Sequence, residues 1–333
     1  MVYRLGIVGT GGMAHAHGGA CGQTDAVDLV AIHDVAAAQL ERYGDEFGVE
    51  GRYTNLDQML DEADLDIVLI STWGVFHAEI GIQVARSQKV RAILCEKPFT
   101  QSAAEAEAFV AAAAENGVLV AEAFKFRHHP MHLKAKEMLE AGAIGDLLNL
   151  RSTFCTNSGR PLESRTPESN WRFNKVQGGG SIYDLACYNI HHARFIFDEE
   201  PIRVFASDEK GIEVDDAASM ALVFSGGRTA QISVGFNSFS SQYAEIAGHS
   251  GMLRLNTVWN NDNRAVVLEH HTADGIESME FGPLSQLVLQ LEHMCQCLET
   301  GQPHRIAAQN SVAQMRVLDA VKESMETGKV VEV

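Results

Sequence analysis

The sequence predicts two domains: a doubly wound α/β domain with a parallel sheet over residues 1–124, then an α+β domain with a large, mostly antiparallel sheet over residues 125–333. Three observations lead there. The chain has 333 residues, more than one typical core accommodates. Short apolar runs alternate with helical segments as far as Ala121. Beyond Phe124 that alternation stops, and short strands with turn signals take over.

Tyr3-Arg4-Leu5-Gly6-Ile7-Val8 reads as a buried parallel strand. Gly9-Thr10-Gly11-Gly12-Met13-Ala14 follows at once, the G-x-G-x-x-A form of the dinucleotide fingerprint of a Rossmann domain. The first glycine permits the tight turn, the second lets the backbone approach a pyrophosphate, and the small alanine lets helix and strand pack closely. The anion then rests on free N–H groups at the helix start. A second run, Val27 to Ile32, ends at His33-Asp34. Asp34 stands where a ribose-binding acid belongs. A carboxylate there accepts from ribose hydroxyls and repels a 2′-phosphate. No Arg follows it, so the cofactor expected is NAD rather than NADP.

The alternation continues through Leu65–Ile70, a strand ending in the turn Ser71-Thr72-Trp73-Gly74, and a helix over His77–Ser87. Ala92–Cys95 is the next strand and ends at Glu96-Lys97-Pro98. Ser102 and Glu105 form a capping box for an Ala-rich helix that stops at Gly117, and Val118–Ala121 is a further strand. Ligands of such sheets bind outside the carboxyl ends of the strands, where Gly9, Asp34, Thr72 and Lys97 all fall.

Composition narrows the function classes. Hydrophobic residues make up 46% and charged residues 21%, the balance of a globular protein. The formal net charge of −18 and the lack of a basic stripe argue against nucleic acid, and favour a neutral substrate over a polyanion. No apolar run is long enough for a membrane span, and the start lacks the pattern of a signal peptide, so the expected location is the cytoplasm. The six cysteines have no zinc or C-x-x-C spacing and read as buried thiols in a reducing compartment. Histidine pairs such as His15 and His17, His128-His129 and His270-His271 lack partners at metal spacing, so no metal is expected.

In the second domain Leu147–Asn157, Val204–Ser207, Ser219–Phe224, Thr229–Phe236, Tyr243–Gly248 and Met252–Asn256 read as strands, with Ser225-Gly226-Gly227-Arg228 as a hairpin turn. A helix from Ser181 to Phe197 presents Asp184, Tyr188 and His191 at i, i+4 and i+7, on one side. Residues alone also allow Tyr188 as a core aromatic and His191 as a surface residue.

Taken together, these motifs resemble the Gfo/Idh/MocA oxidoreductases. The resemblance runs from Glu96-Lys97-Pro98 through Phe126-Arg127-His128-His129-Pro130, Ala143-Ile144-Gly145-Asp146, Asn170-Trp171-Arg172-Phe173-Asn174-Lys175 and Gly178-Gly179-Gly180 to Asp184 and Tyr188, and ends in a helix from Gln309 to Lys329. Tyr four residues after Asp places the chain beside the branch of glucose-fructose oxidoreductase, xylose dehydrogenases and dihydrodiol dehydrogenases. The resemblance implies hydride transfer between NAD and a hydroxyl or carbonyl carbon of a sugar or polyol. Its alternatives are a reductase of a dicarbonyl, keto-sugar or dihydrodiol, and a catalytically silent NAD-binding regulator. It implies Lys97, Tyr188 and Asp184 as catalytic residues, with Arg127 and His191 joining them on the substrate. Cofactor contacts would come from Gly9, Thr10, Gly11, Gly12, Met13, Asp34, Ser71, Thr72, Trp73, His77, Glu96 and Lys97, and from Trp171 and Arg172. Where the family often has Pro-Asn, this chain has Trp73-Gly74. The second sheet leaves a face to cover, and the resemblance implies a homodimer or homotetramer built through it.

The chemistry suits these residue types. Oxidising an alcohol removes a hydroxyl proton as hydride leaves the same carbon, which needs a nearby base. A phenol with pKa near ~10 is a poor base at neutral pH until a cation such as a lysine stabilises the phenolate. Tyr188 is then the proton carrier, with Lys97 tuning it and Asp184 balancing Lys97. Lys97 as the base is the converse assignment, and the sequence leaves it open.

Overall fold

The structure is a computed structural model and describes residues 1–157 and 165–333. Two compact units divide the chain. The first comprises Met1–His128 and Ser285–Val312, the second His129–Leu284 and Ala313–Val333.

In the first unit β1 (Tyr3–Val8), β2 (Val27–His33), β3 (Gly51–Tyr53), β4 (Ile67–Ile70), β5 (Ala92–Cys95) and β6 (Leu119–Glu122) form a parallel sheet in the order β3-β2-β1-β4-β5-β6. The order reverses beside β1, which opens the crevice where a dinucleotide binds. Helices α1 (Gly12–Cys21), α2 (Ala37–Phe47), α3 (Leu56–Glu62), α4 (His77–Ser87) and α5 (Ala103–Glu115) connect the strands. Strand β3 is absent from the sequence reading because Gly51-Arg52-Tyr53 is an edge strand, half-buried at each residue, with no apolar run. Strands β4 and β5 are buried at every position, as parallel strands covered on both faces must be. At α5, Ser102 accepts from Glu105 N–H at 3.3 Å, while Glu105 accepts from Gln101 N–H at 2.9 Å, so the reciprocal bond of the capping box falls one residue early. Leu287, Leu291 and Met294, from a helix over Gln286–Thr300, share one apolar core with Leu5, Ile7, Ile32 and Leu69. That return segment was not visible in local pattern.

The second unit holds a nine-stranded sheet among the described residues. Its strands are β7 (Leu147–Cys155), β8 (Arg203–Lys210), β9 (Asp215–Val223), β10 (Thr229–Gly235), β11 (Ser241–Gly248), β12 (Gly251–Leu255), β13 (Val266–Thr272), β14 (Gly275–Phe281) and β15 (Val331–Glu332). They run in the order β14-β13-β12-β11-β7-β10-β9-β8-β15. All neighbours are antiparallel except β7 and β10. The hairpin Ser225–Gly227 joins β9 to β10 as expected, with Gly226 at φ +66°. Strands β13, β14 and β15 are additions to the sequence reading; β14 is mostly exposed and lacks the alternation that marks a strand.

The helix expected over Ser181–Phe197 begins with a correction. Ile182–Ala186 is a π-helical turn, and the regular helix α6 runs only over Cys187–Phe197. The wider turn takes up an extra residue, so Asp184, Tyr188 and His191 do not follow one 3.6-residue repeat. Nor is α6 one-sided: every residue from Cys187 to Arg194 is buried.

Candidate active site

Each unit brings together part of the expected site. In the first, Gly9 makes the turn after β1 with φ +90°. A Cβ there would lie 2.8 Å from the Thr72 methyl and 2.9 Å from the Ser71 carbonyl, so the end of β4 admits only glycine. At Gly11 and Gly12 a Cβ would meet nothing within 4 Å, so the backbone of this turn is open. Helix α1 starts there with no side-chain cap and no acid in its first turn. Its first N–H groups have no acceptor within the helix, and the residues fit the pyrophosphate of a dinucleotide.

Asp34 faces the same turn. Its Oδ2 accepts from Thr10 N–H and from the Thr10 hydroxyl, both at 2.8 Å, and its Oδ1 accepts from Ala36 N–H at 2.8 Å. The glycine-rich turn thus holds the carboxylate in place through Thr10. Met13, in the first turn of α1, is exposed. Trp73 and Phe76, 46% and 44% exposed, stack at 6.3 Å on the loop after β4.

Buried polar residues brace the loops after β4 and β5. His77 faces the Pro98 carbonyl with Nδ1 at 3.0 Å and the Thr72 carbonyl with Nε2 at 3.1 Å. Burial lowers its pKa despite those carbonyls, so the ring is neutral and donates to one of them at a time. Glu96 pairs with His17, which the sequence reading treated only as a dismissed metal ligand. His17 Nε2 lies 2.7 Å from Glu96 Oε1, with His17 0% and Glu96 5% exposed. The other carboxylate oxygen accepts from Lys97 N–H at 3.2 Å. Burial pushes the Glu96 carboxyl up, but the bond and charge of His17, with Lys97, bring it below its ordinary value. The only signal for His17 was its place on the inner face of α1, three residues after Ala14.

Arg127 is buried, and its guanidinium donates to the Arg305 carbonyl at 3.4 Å while Arg305 donates back to the Arg127 carbonyl at 3.1 Å. Beside it His128, His293 and His304 cluster with ring centroids 4.6 to 5.4 Å apart. Burial, then neighbouring histidine and arginine charge, holds His128 well below the ordinary value and His304 at about 3. Among the described residues no group of three or more His, Cys, Asp or Glu could hold a metal ion.

In the second unit, Trp171–Phe173 is a short 3₁₀ turn, with Asn170 Oδ1 accepting from Arg172 N–H at 3.1 Å. Arg172 lies over the Trp171 ring at 4.9 Å, and its Nε donates to Asp184 Oδ2 at 2.8 Å. Asp184 is buried, so within this unit Arg172 balances the carboxylate expected to serve Lys97. Tyr188 packs edge-on against Phe154 at 5.6 Å and tilted against Trp259 at 5.8 Å. His191 is buried one turn further on. Asp215, at the start of β9, accepts from the Ser181 hydroxyl at 2.5 Å and from Ile182 N–H at 2.9 Å. Burial raises its pKa to about 6 against the pull of those bonds.

Residues 3–124 match the model of the oxidoreductase family with an NAD-binding Rossmann fold, and residues 132–254 match a GFO/IDH/MocA C-terminal domain. The chain is 30% identical to the D-xylose 1-dehydrogenase (NADP(+)) 2 of Haloferax volcanii, covering 98% of this chain and 99% of that one. It is 26% identical to the trans-1,2-dihydrobenzene-1,2-diol dehydrogenase of Xenopus laevis, over 90% of this chain and 91% of the other. The crystal structure of aldose-aldose oxidoreductase from Caulobacter crescentus, complexed with glycerol, has the same fold with a TM-score of 0.90 at 22% identity, covering all of both chains.

Proposed function

The chain belongs to the Gfo/Idh/MocA oxidoreductases, and from that premise we propose that it is an NAD-preferring dehydrogenase acting on a sugar or polyol. The observation that carries this reading is the glycine turn left open at Gly11 and Gly12, with Asp34 held beside it by Thr10. A bound nicotinamide would supply the hydride acceptor. Asp34 would accept from the ribose hydroxyls and disfavour a 2′-phosphate, in contrast to the NADP(+) named for the Haloferax relative.

On the substrate side, Tyr188 takes the hydroxyl proton during oxidation and returns it during reduction. Lys97 stabilises the phenolate and holds the substrate oxygen. Arg172 pairs with Asp184 and fixes it in place, so the carboxylate is available as a polar anchor. His77 and the His17–Glu96 pair keep the loops around Lys97 from moving.

A screen of NAD reduction over aldoses, cyclitols and anhydrosugars tests the substrate class. Tyr188→Phe should lower kcat at least ~100-fold with NAD affinity nearly unchanged, the lower range for a lost general acid-base. Lys97→Ala should cost at least as much, and the double variant little more. A Tyr188→Phe enzyme with near-normal kcat would move the proton to Lys97. The exposed Trp73–Phe76 stack favours a second reading, in which the substrate carries an apolar face, as a dihydrodiol does. NADH oxidation with dicarbonyls and keto-sugars, and NAD reduction with dihydrodiols, separate the two. Phe205, Tyr243 and Ile276 are exposed on the second sheet, which suits pairing with another copy of the chain; light scattering would measure it.

A further inference from the structure

Asp215 is a buried carboxylate at the start of β9. Among the described residues no cation lies within salt-bridge distance of it; the adjacent Asp216 takes Arg165 instead, at 3.1 Å. Burying an ionisable group held only by neutral hydrogen bonds costs stability, so its position calls for an explanation. Both of its bonds go to one corner of the chain, Ser181 Oγ–H and Ile182 N–H.

That corner carries two other residues. The Gly180 carbonyl accepts from Asp184 N–H at 3.0 Å, starting the π-helical turn in which Asp184 sits. Gly180 N–H donates to the Arg172 carbonyl at 2.9 Å. Contacts leave no slack on either side. A Cβ on Gly180 would lie 2.5 Å from Asp215 Oδ1, and one on Gly179 would lie 2.5 Å from the Trp171 and Arg172 carbonyl oxygens. The Arg172 guanidinium then closes the circuit on Asp184 at 2.8 Å.

We infer that Asp215 is a positioning residue: through Ser181 and Ile182 it fixes the glycine corner from which both Asp184 and Arg172 are hung, and so sets their pairing. The inference rests on the proposed role of that pair in the oxidoreductase. A π-turn is a less stable arrangement than the helix it interrupts, and an external acceptor for its first N–H, at Ile182, and for the Ser181 hydroxyl holds it in register.

The test uses the full chain and a double-mutant cycle. Asp215→Asn should lower kcat about 10-fold or more. Arg172→Ala should cost far less in the Asp215→Asn background than in the wild type, because groups acting as one unit are not additive. A purely structural Asp215 would lower the melting temperature and leave the two effects additive, which overturns the inference. So would a kcat within 2-fold of wild type. Should Asp215→Asn fail to fold, Ser181→Ala removes one of the two donors and enters the same cycle. Amide hydrogen exchange supplies a readout independent of turnover. Ile182 and Asp184 should exchange faster in Asp215→Asn, with the β1 to β6 sheet unchanged. Faster exchange in a chain that oxidises no sugar would refute the functional reading and leave the positioning role intact. Normal exchange with additive kinetics in an active enzyme would refute the positioning role alone.

Discussion

Replacing His17 with leucine should destabilise the protein by an amount the structure bounds. Leucine fills most of the imidazole's volume, so the main loss is the partner of Glu96 at 2.7 Å. Glu96 stays 5% exposed, with the Lys97 N–H at 3.2 Å as its remaining donor on this side. It can stay ionised without His17, or take up a proton. Protonation limits the cost. From an ordinary value of 4.5 to pH 7 is 2.5 pH units, and at about 1.36 kcal/mol per unit that is about 3–4 kcal/mol. Such a loss lowers the melting temperature by roughly 6–16 °C for a domain of this size. The sign of the pH dependence follows. In His17→Leu the folded-state carboxyl is raised above its unfolded value, so the variant loses stability as pH rises and recovers it as pH falls. At pH 4.5 the gap from wild type should shrink to under about 1 kcal/mol. In a Glu96→Gln background His17→Leu should cost little at either pH. Urea melts of the four proteins at pH 7 and pH 4.5 measure all of this. A gap at pH 7 that is small, or one that acid leaves unchanged, would sink the reasoning.

Three further outcomes are expected. Asp34→Ala should shift the NAD-to-NADP ratio of kcat/KM toward NADP by ~10-fold or more, about 1.4 kcal/mol; a wild type that prefers NADP would refute the ribose-acid reading. Arg172→Ala should weaken NAD binding in a titration and also lower the melting temperature by several degrees, because it strips the buried Asp184 of its cation; unchanged NAD affinity would remove Arg172 from the cofactor site. Acid should destabilise the first unit through its histidine cluster. The folded pKa of His304 is about 3 against an ordinary 6.5, so the unfolded chain binds the proton that the folded one refuses, and stability is lost as pH falls below 6.5. By pH 4.5 that amounts to roughly 2–3 kcal/mol, and His304→Phe should flatten the acid limb of a stability–pH curve; an unchanged limb would show that the cluster is not its source.

Local features were legible in the sequence wherever the physics is local. A run such as Ile67–Ile70 must be buried on both faces, and the turn at Gly9, at φ +90°, calls for glycine. Ser102 caps its helix with a side chain three residues from its partner. These need no knowledge of distant chain. The succession of a parallel sheet and then a mostly antiparallel one followed from them.

The tertiary structure alone decided the partners. His17 and Glu96 are 79 residues apart, and Asp215 is 34 from Ser181. A helix face can mark His17 as buried, but nothing in either neighbourhood says which distant residue is its partner. The return of Gln286–Thr300 to the first unit is of the same kind, since its apolar face is complementary to a surface built from the far end of the chain. The π-turn at Ile182–Ala186 is the sharpest case. Residue identities there suit a regular helix, and the sequence by itself determined that Asp184 and Tyr188 share one segment. What departs from regularity is set from outside, by the Asp215 carboxylate on one side and the Arg172 loop on the other, both held against glycines where no side chain fits.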